Sequence, residues 1–327
     1  MIHQGSRTEP QPGRPATAPP AARHGGGATF TSAVNTAAGG RPARTQEAQE
    51  AQGRPSMGLS ITPLSVPPAG PPSGAALRAA VLEALVLAGH LLLYPTGVLN
   101  ERPPAGPAGP RPPVLLLHGF TDNRSVFVLL RRALGADGRR RVESYNYSLL
   151  TRDLRVTARL LARRVEELCE RTGQDQVDLV GHSLGGLVGR YYVQRLGGDA
   201  RVRTLVTLGT PHSGTRVAPF MDAHPLVRQM RPDSEVMAEL RAPAPGCRTR
   251  CVAFWSEFDA IMAPTGTARI EHPDLHTENV QVTGIGHLAL PAHPAVIAAI
   301  RRALDGRPGE LGELSVPQVG GWSSESA

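Results

Sequence analysis

The residues best placed to do chemistry are in the run Val177-Asp178-Leu179-Val180-Gly181-His182-Ser183-Leu184-Gly185-Gly186. A short apolar strand is followed by Gly-x-Ser-x-Gly and then by the first turn of a helix. A serine hydroxyl is a weak nucleophile, so it must project from a sharp turn toward a base, with donors waiting for the developing oxyanion. Such a turn strains the serine backbone and crowds its neighbours, which explains glycine at 181 and 185. A Gly-Ser loop could fit so loose a pattern. The strand before it, and Leu187-Val188 and Tyr191-Tyr192 at helical spacing after it, favour the catalytic reading.

A nucleophile needs a base, an acid to orient that base, and an oxyanion site. The base is expected in a tight turn after the last strand. Asn279-Val280-Gln281-Val282-Thr283-Gly284-Ile285-Gly286-His287 supplies His287 there. The acid is expected just beyond an earlier strand, and Cys251–Trp255 leads to Asp259. Glu257 is too close to the strand, and Asp222 and Asp274 follow no strand. Leu117-His118-Gly119-Phe120 closes the first clear strand. By position, the backbone N–H groups of Phe120 and Leu184 are the oxyanion donors. His118 is read as structural rather than as the base, and is kept as a candidate substrate contact. His293 is read as facing solvent.

The elements that must position these groups alternate. Strands are expected at 114–117, 142–147, 177–180, 202–208, 249–255 and 280–283. Helices are expected at 125–134, 153–171, 184–195 and 294–304. The 153–171 helix carries Leu154, Ala158, Leu161, Val165 and Leu168 on one face. Continuous apolar strands alternating with helices imply an α/β fold, a mostly parallel sheet covered on both faces. Within Thr215–Gly246, Met221, Met230 and Met237 mark either a lid and acyl-site wall or a helix pair capping the sheet. These methionines are candidate substrate contacts.

Basic residues outnumber acidic ones, 35 to 28, giving a net charge of +7, yet every basic residue is Arg. That bias fits a GC-rich genome, and no aromatic interleaving accompanies it, so nucleic-acid binding is not expected. Cys169, Cys247 and Cys251 form neither a disulfide framework nor a metal set, and no metal is expected. Residues 1–74 are rich in Pro, Gly and Ala, and are expected to be disordered. No apolar core follows Met1, so no signal peptide is expected there, and Met57 is an alternative start. Ala75–Tyr94 is an apolar helical stretch with Ser73 as N-cap and Pro95 as its stop. Its length suits a membrane span, but Glu83 at its centre would cost about 2.5–3.5 kcal/mol in lipid. Glu83 and His90, seven apart, share a face. A helix packed on the catalytic domain or lying at an interface is therefore preferred, with peripheral membrane contact, and a spanning anchor is the alternative. A location in the cytoplasm or at the membrane surface follows. A Pro-rich linker leads to the catalytic domain at 113–304, and 305–327 is expected to be a loose tail.

His118-Gly119-Phe120, Gly181-His182-Ser183-Leu184-Gly185-Gly186, Leu208-Gly209-Thr210-Pro211-His212-Ser213-Gly214 and Gly286-His287 together resemble bacterial α/β-hydrolase lipases and esterases, especially the small lipase A type. The resemblance covers about 113–304. It implies hydrolysis of carboxylic esters, acylglycerols or other lipids, through Ser183, Asp259 and His287 and without a cofactor. Thr215–Gly246 is longer than its counterpart in the smallest such enzymes, and residues 1–112 have none. An acyltransferase would carry the same motifs, and a non-catalytic binding protein could keep the fold.

Overall fold

Strands β1 (Val114–Leu117), β2 (Val142–Tyr145), β3 (Val177–His182), β4 (Val202–Leu208), β5 (Arg250–Ser256), β6 (His276–Thr283) and β7 (Glu313–Ser315) form one sheet in the order β2-β1-β3-β4-β5-β6-β7. Every pairing is parallel. Because side chains alternate across a strand, the two faces divide cleanly. Leu115, Leu117, Leu179, Leu205 and Ala253 face one apolar core. Val114, Leu116, Val180, Val206, Phe254 and Val280 face the other. A computed structural model describes residues 73–98, 109–148, 151–216, 223–306 and 313–315. These fall within one unit, Val66–Ala327. The expected disorder of 1–74 concerns residues almost wholly outside the described ones, as does most of the linker before 113.

Helices α1 (Gly74–Val98), α2 (Val128–Gly135), α3 (Leu154–Thr172), α4 (Leu184–Arg195), α5 (Pro225–Gln229), α6 (Glu235–Arg241) and α7 (Pro294–Leu304) surround the sheet. In α3 the Asp153 side chain caps the first turn, and Gly173 ends the helix in the left-handed region at φ 66. Its Leu154, Ala158, Leu161, Val165 and Leu168 are all fully buried, the face expected from the spacing. Leu226, Val227, Val236 and Leu240 of α5 and α6 join the same core. The described part of 215–246 thus packs two short helices into this core.

Three expectations change. The end of the chain is not wholly a loose tail, because Glu313–Ser315 pairs with Gln281–Thr283 as an edge strand. Strand β6 starts at His276, four residues before the apolar run that marked it. And α1 does not stop at Pro95 but runs through it to Val98. The last carbonyls of a helix lack intrahelical partners, and here the domain supplies them. Asn123 Nδ2 donates to Tyr94 O at 3.0 Å, Arg124 to Thr96 O at 2.8 Å, and Asn146 Nδ2 to Gly97 O at 2.6 Å. The other end is as expected, with the Ser73 hydroxyl accepting from Ala76 N–H at 3.2 Å.

Candidate active site

In an open parallel sheet, ligands bind beyond the carboxyl ends of the strands, where the strand order reverses. Here the reversal falls between β1 and β3, which pair directly, Leu117 opposite Gly181. The chain leaving β1 and the turn leaving β3 are thereby brought side by side.

The turn leaving β3 is sharp. Ser183 has φ 52 and ψ −120 and is one of two non-glycine residues at positive φ among the described ones. A strained serine of this kind survives only if its surroundings over-determine it. Ser183 N–H donates to Leu208 O at 2.9 Å, and Ser183 O accepts from Thr210 Oγ1 at 3.0 Å and from Gly186 N–H at 3.1 Å. A Cβ at Gly181 would meet Gly186 N at 2.5 Å, and one at Gly185 would run into the carbonyls of Leu117 and His118. Only glycine lets β1, the turn and α4 approach so closely.

On the other side of the cleft, Asp259 follows β5 and His287 follows β6. The imidazole Nδ1–H of His287 donates to Asp259 Oδ2 at 2.7 Å. Asp259 Oδ1 accepts from Ile261 N–H at 2.9 Å and Met262 N–H at 3.0 Å. Both lone-pair faces of a fully buried carboxylate are thus satisfied. Burial disfavours the charged imidazole of His287, but the charge of Asp259 and its hydrogen bond outweigh that. With smaller help from Glu83 and Asp122, they hold the His287 pKa above the ordinary histidine value. Glu257 is exposed to solvent.

A cleft of about 210 Å³ joins these groups. Ser183, His287 and Phe120 line it, together with Met230, Ile261 and Met262 and with Leu87, His90 and Tyr94 of α1. Most of that wall is apolar. Leu184 is fully buried as the first residue of α4, beneath Ser183.

Two candidate substrate contacts are corrected. His118 is buried and does not line the cleft. Its Nδ1–H donates to Gly119 O at 2.9 Å, its Nε2 accepts from Tyr147 N–H at 3.3 Å, and the ring stacks on Tyr147 at 4.1 Å. Met237, on the buried face of α6, is likewise core rather than cleft. Met230 does line the cleft, and Met221 lies outside the described residues. His293 caps α7, accepting from Ala295 N–H at 3.3 Å, rather than standing free in solvent.

Several site residues carry no local motif. Asp122 sits at the cleft with its carboxylate 3.6 Å from His182 Nδ1, while His182 Nε2–H donates to His287 O at 3.2 Å. Burial pushes the Asp122 carboxyl up, but His182, His90 and His118 together pull it below its usual value. Arg190 of α4 is buried and donates to His212 O at 2.9 Å and Leu240 O at 3.0 Å. Burial lowers its pKa to about 10. It ties the helix behind Ser183 to the α6 end. Glu83 was visible in sequence only as a charge misplaced in an apolar helix, and that anomaly was its signal.

This is the α/β-hydrolase fold. Residues 112–237 match the family model described as the alpha/beta hydrolase fold. That match includes Ser183 but ends before Asp259 and His287. Among solved structures, the chain resembles lipase B of Aspergillus fumigatus at 18% identity and a TM-score of 0.55, over 62% of this chain and 55% of that one. It thus spans about half the length of that enzyme. It also resembles a Bacillus licheniformis lipase in its mature form, at 15% identity and a TM-score of 0.50, over 62% of this chain and 96% of that one. At these identities the likeness is one of fold.

Proposed function

We propose that the chain is a serine hydrolase of carboxylic esters with apolar acyl groups. The observation that carries this reading is the buried His287, bonded to Asp259, lining the same cleft as a positive-φ serine. In the proposed reaction, His287 Nε2 takes the Ser183 proton as Oγ attacks the ester carbonyl. The N–H groups of Phe120 and Leu184 receive the oxyanion. The alcohol leaves with the proton from His287, and an acyl group remains on Ser183. Water then gives a proton to His287 as it attacks, and His287 passes it to Ser183 Oγ as the acyl–oxygen bond breaks and the acid is released. Asp259 holds the imidazole tautomer and its transient charge throughout. The apolar cleft wall supports an apolar acyl group, and the lipases among the structural neighbours are consistent with that.

The same reading extends to a lipid surface. Helix α1 is long and apolar enough to cross a membrane, with mean hydropathy 1.8 over its most apolar 18 residues. Yet its carbonyls and Glu83 bond to the catalytic domain. Leu85 and Leu92, which do not line the cleft, remain well exposed, 67% and 80%. Spanning a bilayer would strip those bonds away, so peripheral contact through the outer face is the form proposed.

The test is turnover of p-nitrophenyl esters of rising chain length by wild type and Ser183→Ala. Loss of activity on the order of 10⁶-fold in the variant is expected. Equal rates would remove the hydrolase reading.

A further inference from the structure

We propose that Glu83 is a positioning residue for His287, holding from α1 the loop on which the histidine sits. The inference rests on the hydrolase reading and deepens it, because it makes a helix outside the α/β core part of the active centre.

The geometry is specific. Glu83 Oε2 accepts from the backbone N–H of Leu288 at 2.8 Å, and Oε1 from that of Ala289 at 2.9 Å. These are the first two amides after His287, and they lie in a loop where neither helix nor sheet supplies a partner. Buried amides left unpaired are costly, and a carboxylate meeting two of them makes charge-assisted bonds on both oxygens. The approach is close. A Cβ at Gly286 would come within 2.6 Å of Glu83 Cγ and Cδ, so the residue before His287 has to be glycine for the carboxylate to reach in. Glu83 is also the only carboxylate in α1. An acid in so apolar a helix is expensive unless it is bound, and here both of its oxygens are used.

Orientation of the imidazole is then fixed at two points. Asp259 grips Nδ1 from the end of β5, and Glu83 grips the main chain just beyond. The titratable groups around His287 are Asp259, Asp122 in the loop after β1, His182 at the end of β3, and Glu83 and His90 on α1. Glu83 adds negative charge that favours the imidazolium, in the same sense as Asp259 and Asp122.

If Glu83 merely glued α1 to the domain, its loss would change stability but not the behaviour of the histidine. Glu83→Gln keeps the volume, removes the charge, and turns an amide NH₂ toward one of the two N–H groups. The expected result is a fall in kcat of about tenfold or more with KM changed by less than roughly twofold. The acid limb of kcat/KM should also move to lower pH, because an imidazolium with one less anion beside it loses its proton sooner. Val86→Ala, which loosens the packing of α1 against the domain but leaves the Glu83 carboxylate in place, should show neither effect. An unchanged kcat and acid limb in Glu83→Gln would overturn the proposal, as would Val86→Ala reproducing both.

Two measurements do not depend on ester turnover. The first is the NMR pH titration of the His287 imidazole in wild type and Glu83→Gln, where an unmoved midpoint overturns the proposal. The second is hydrogen exchange of the Leu288 and Ala289 amides in wild type, where exchange at free-loop rates overturns it even if no variant folds. The hydrolase reading fails separately, if a fluorophosphonate does not label Ser183 in wild type.

Discussion

At the end of β3, Ser183 is fixed by main-chain packing. At the end of β6, His287 is fixed by two carboxylates that arrive from elsewhere in the chain. The serine turn needs glycines because β1, α4 and the turn press together, and its hydrogen bonds are short-range or come from the next strand. The histidine loop buries Ile285, Ala289 and Leu290 in the core, but the carboxylates that hold it come from far along the chain. It takes its geometry from Asp259, 28 residues earlier, and from Glu83, more than 200 residues earlier. One side of the site is rigid by construction. The other is assembled only when the distant parts are docked, and each of its contacts can be removed singly.

The largest expected effect tests the assembled side. Asp259→Asn keeps the shape but offers an N–H or a neutral carbonyl where a charge stood. The wrong imidazole tautomer is then favoured, and kcat should fall about 10⁴-fold with the fold intact. Its pH profile carries a definite sign. The folded His287 pKa is raised above the usual value near 6.5 by Asp259, and the base must be neutral to accept the serine proton. Wild-type kcat/KM should therefore climb through a midpoint above that value. Residual activity in Asp259→Asn should reach its plateau at lower pH. A variant with unaltered kcat would mean that His287 is positioned without Asp259, and the contrast between the two sides would fail.

The next effect tests the packed side. Gly185→Ala puts a methyl group into the carbonyls of Leu117 and His118, which cannot move without shifting β1. Overpacking of this kind costs about 1–3 kcal/mol. A displacement of Ser183 by about 1 Å should cost about 10²-fold in kcat. Thermal melts and kcat on one soluble ester would check both. If the variant melted like wild type with full activity, the serine turn would be less tightly packed than its contacts imply.

The same contrast explains what was legible in the sequence. Gly181, Ser183 and Gly185 announce themselves because local sterics dictate their types within a few residues. Asp259 and His287 could be picked out because each follows a strand whose apolar run is itself a local signal. The face of α3 was readable for the same reason, since burial of one stripe imposes a period. Glu83 could be flagged as anomalous but not assigned, because its partners are amides at the far end of the chain. From sequence His118 reads as structural but stays a candidate substrate contact, and the strand end turns its ring inward onto Tyr147, away from the cleft. Pro95 looked like a stop because it lacks the N–H that would bond Leu91 O, yet the helix runs on, its last turn held by bonds from Asn123 to Tyr94 O and from Asn146 to Gly97 O. Strand β7 has too few residues to show a period at all.

The smallest effect on chemistry is expected at the outer face of α1, where the inner-face roles of Glu83 and His90 give way to leucines. Leu85 and Leu92 are 67% and 80% exposed and touch neither cleft nor loop. Leu85→Ser with Leu92→Ser should leave stability within about 0.5 kcal/mol per site, and turnover of a short soluble ester unchanged. Lipid contact is another matter. Burying a leucine gains at least about 1.5 kcal/mol, so losing two should weaken binding to phosphatidylcholine–phosphatidylglycerol vesicles roughly a hundredfold. Co-sedimentation reads the binding, and carbonate extraction separates a peripheral helix from a spanning one. Unchanged vesicle binding in the double variant would show that α1 does not meet lipid through this face. Resistance to carbonate would show that α1 leaves the domain to span, which would also release Glu83 from the histidine loop. A single helix would then face two incompatible demands, and activity would have to fall whenever it entered the bilayer.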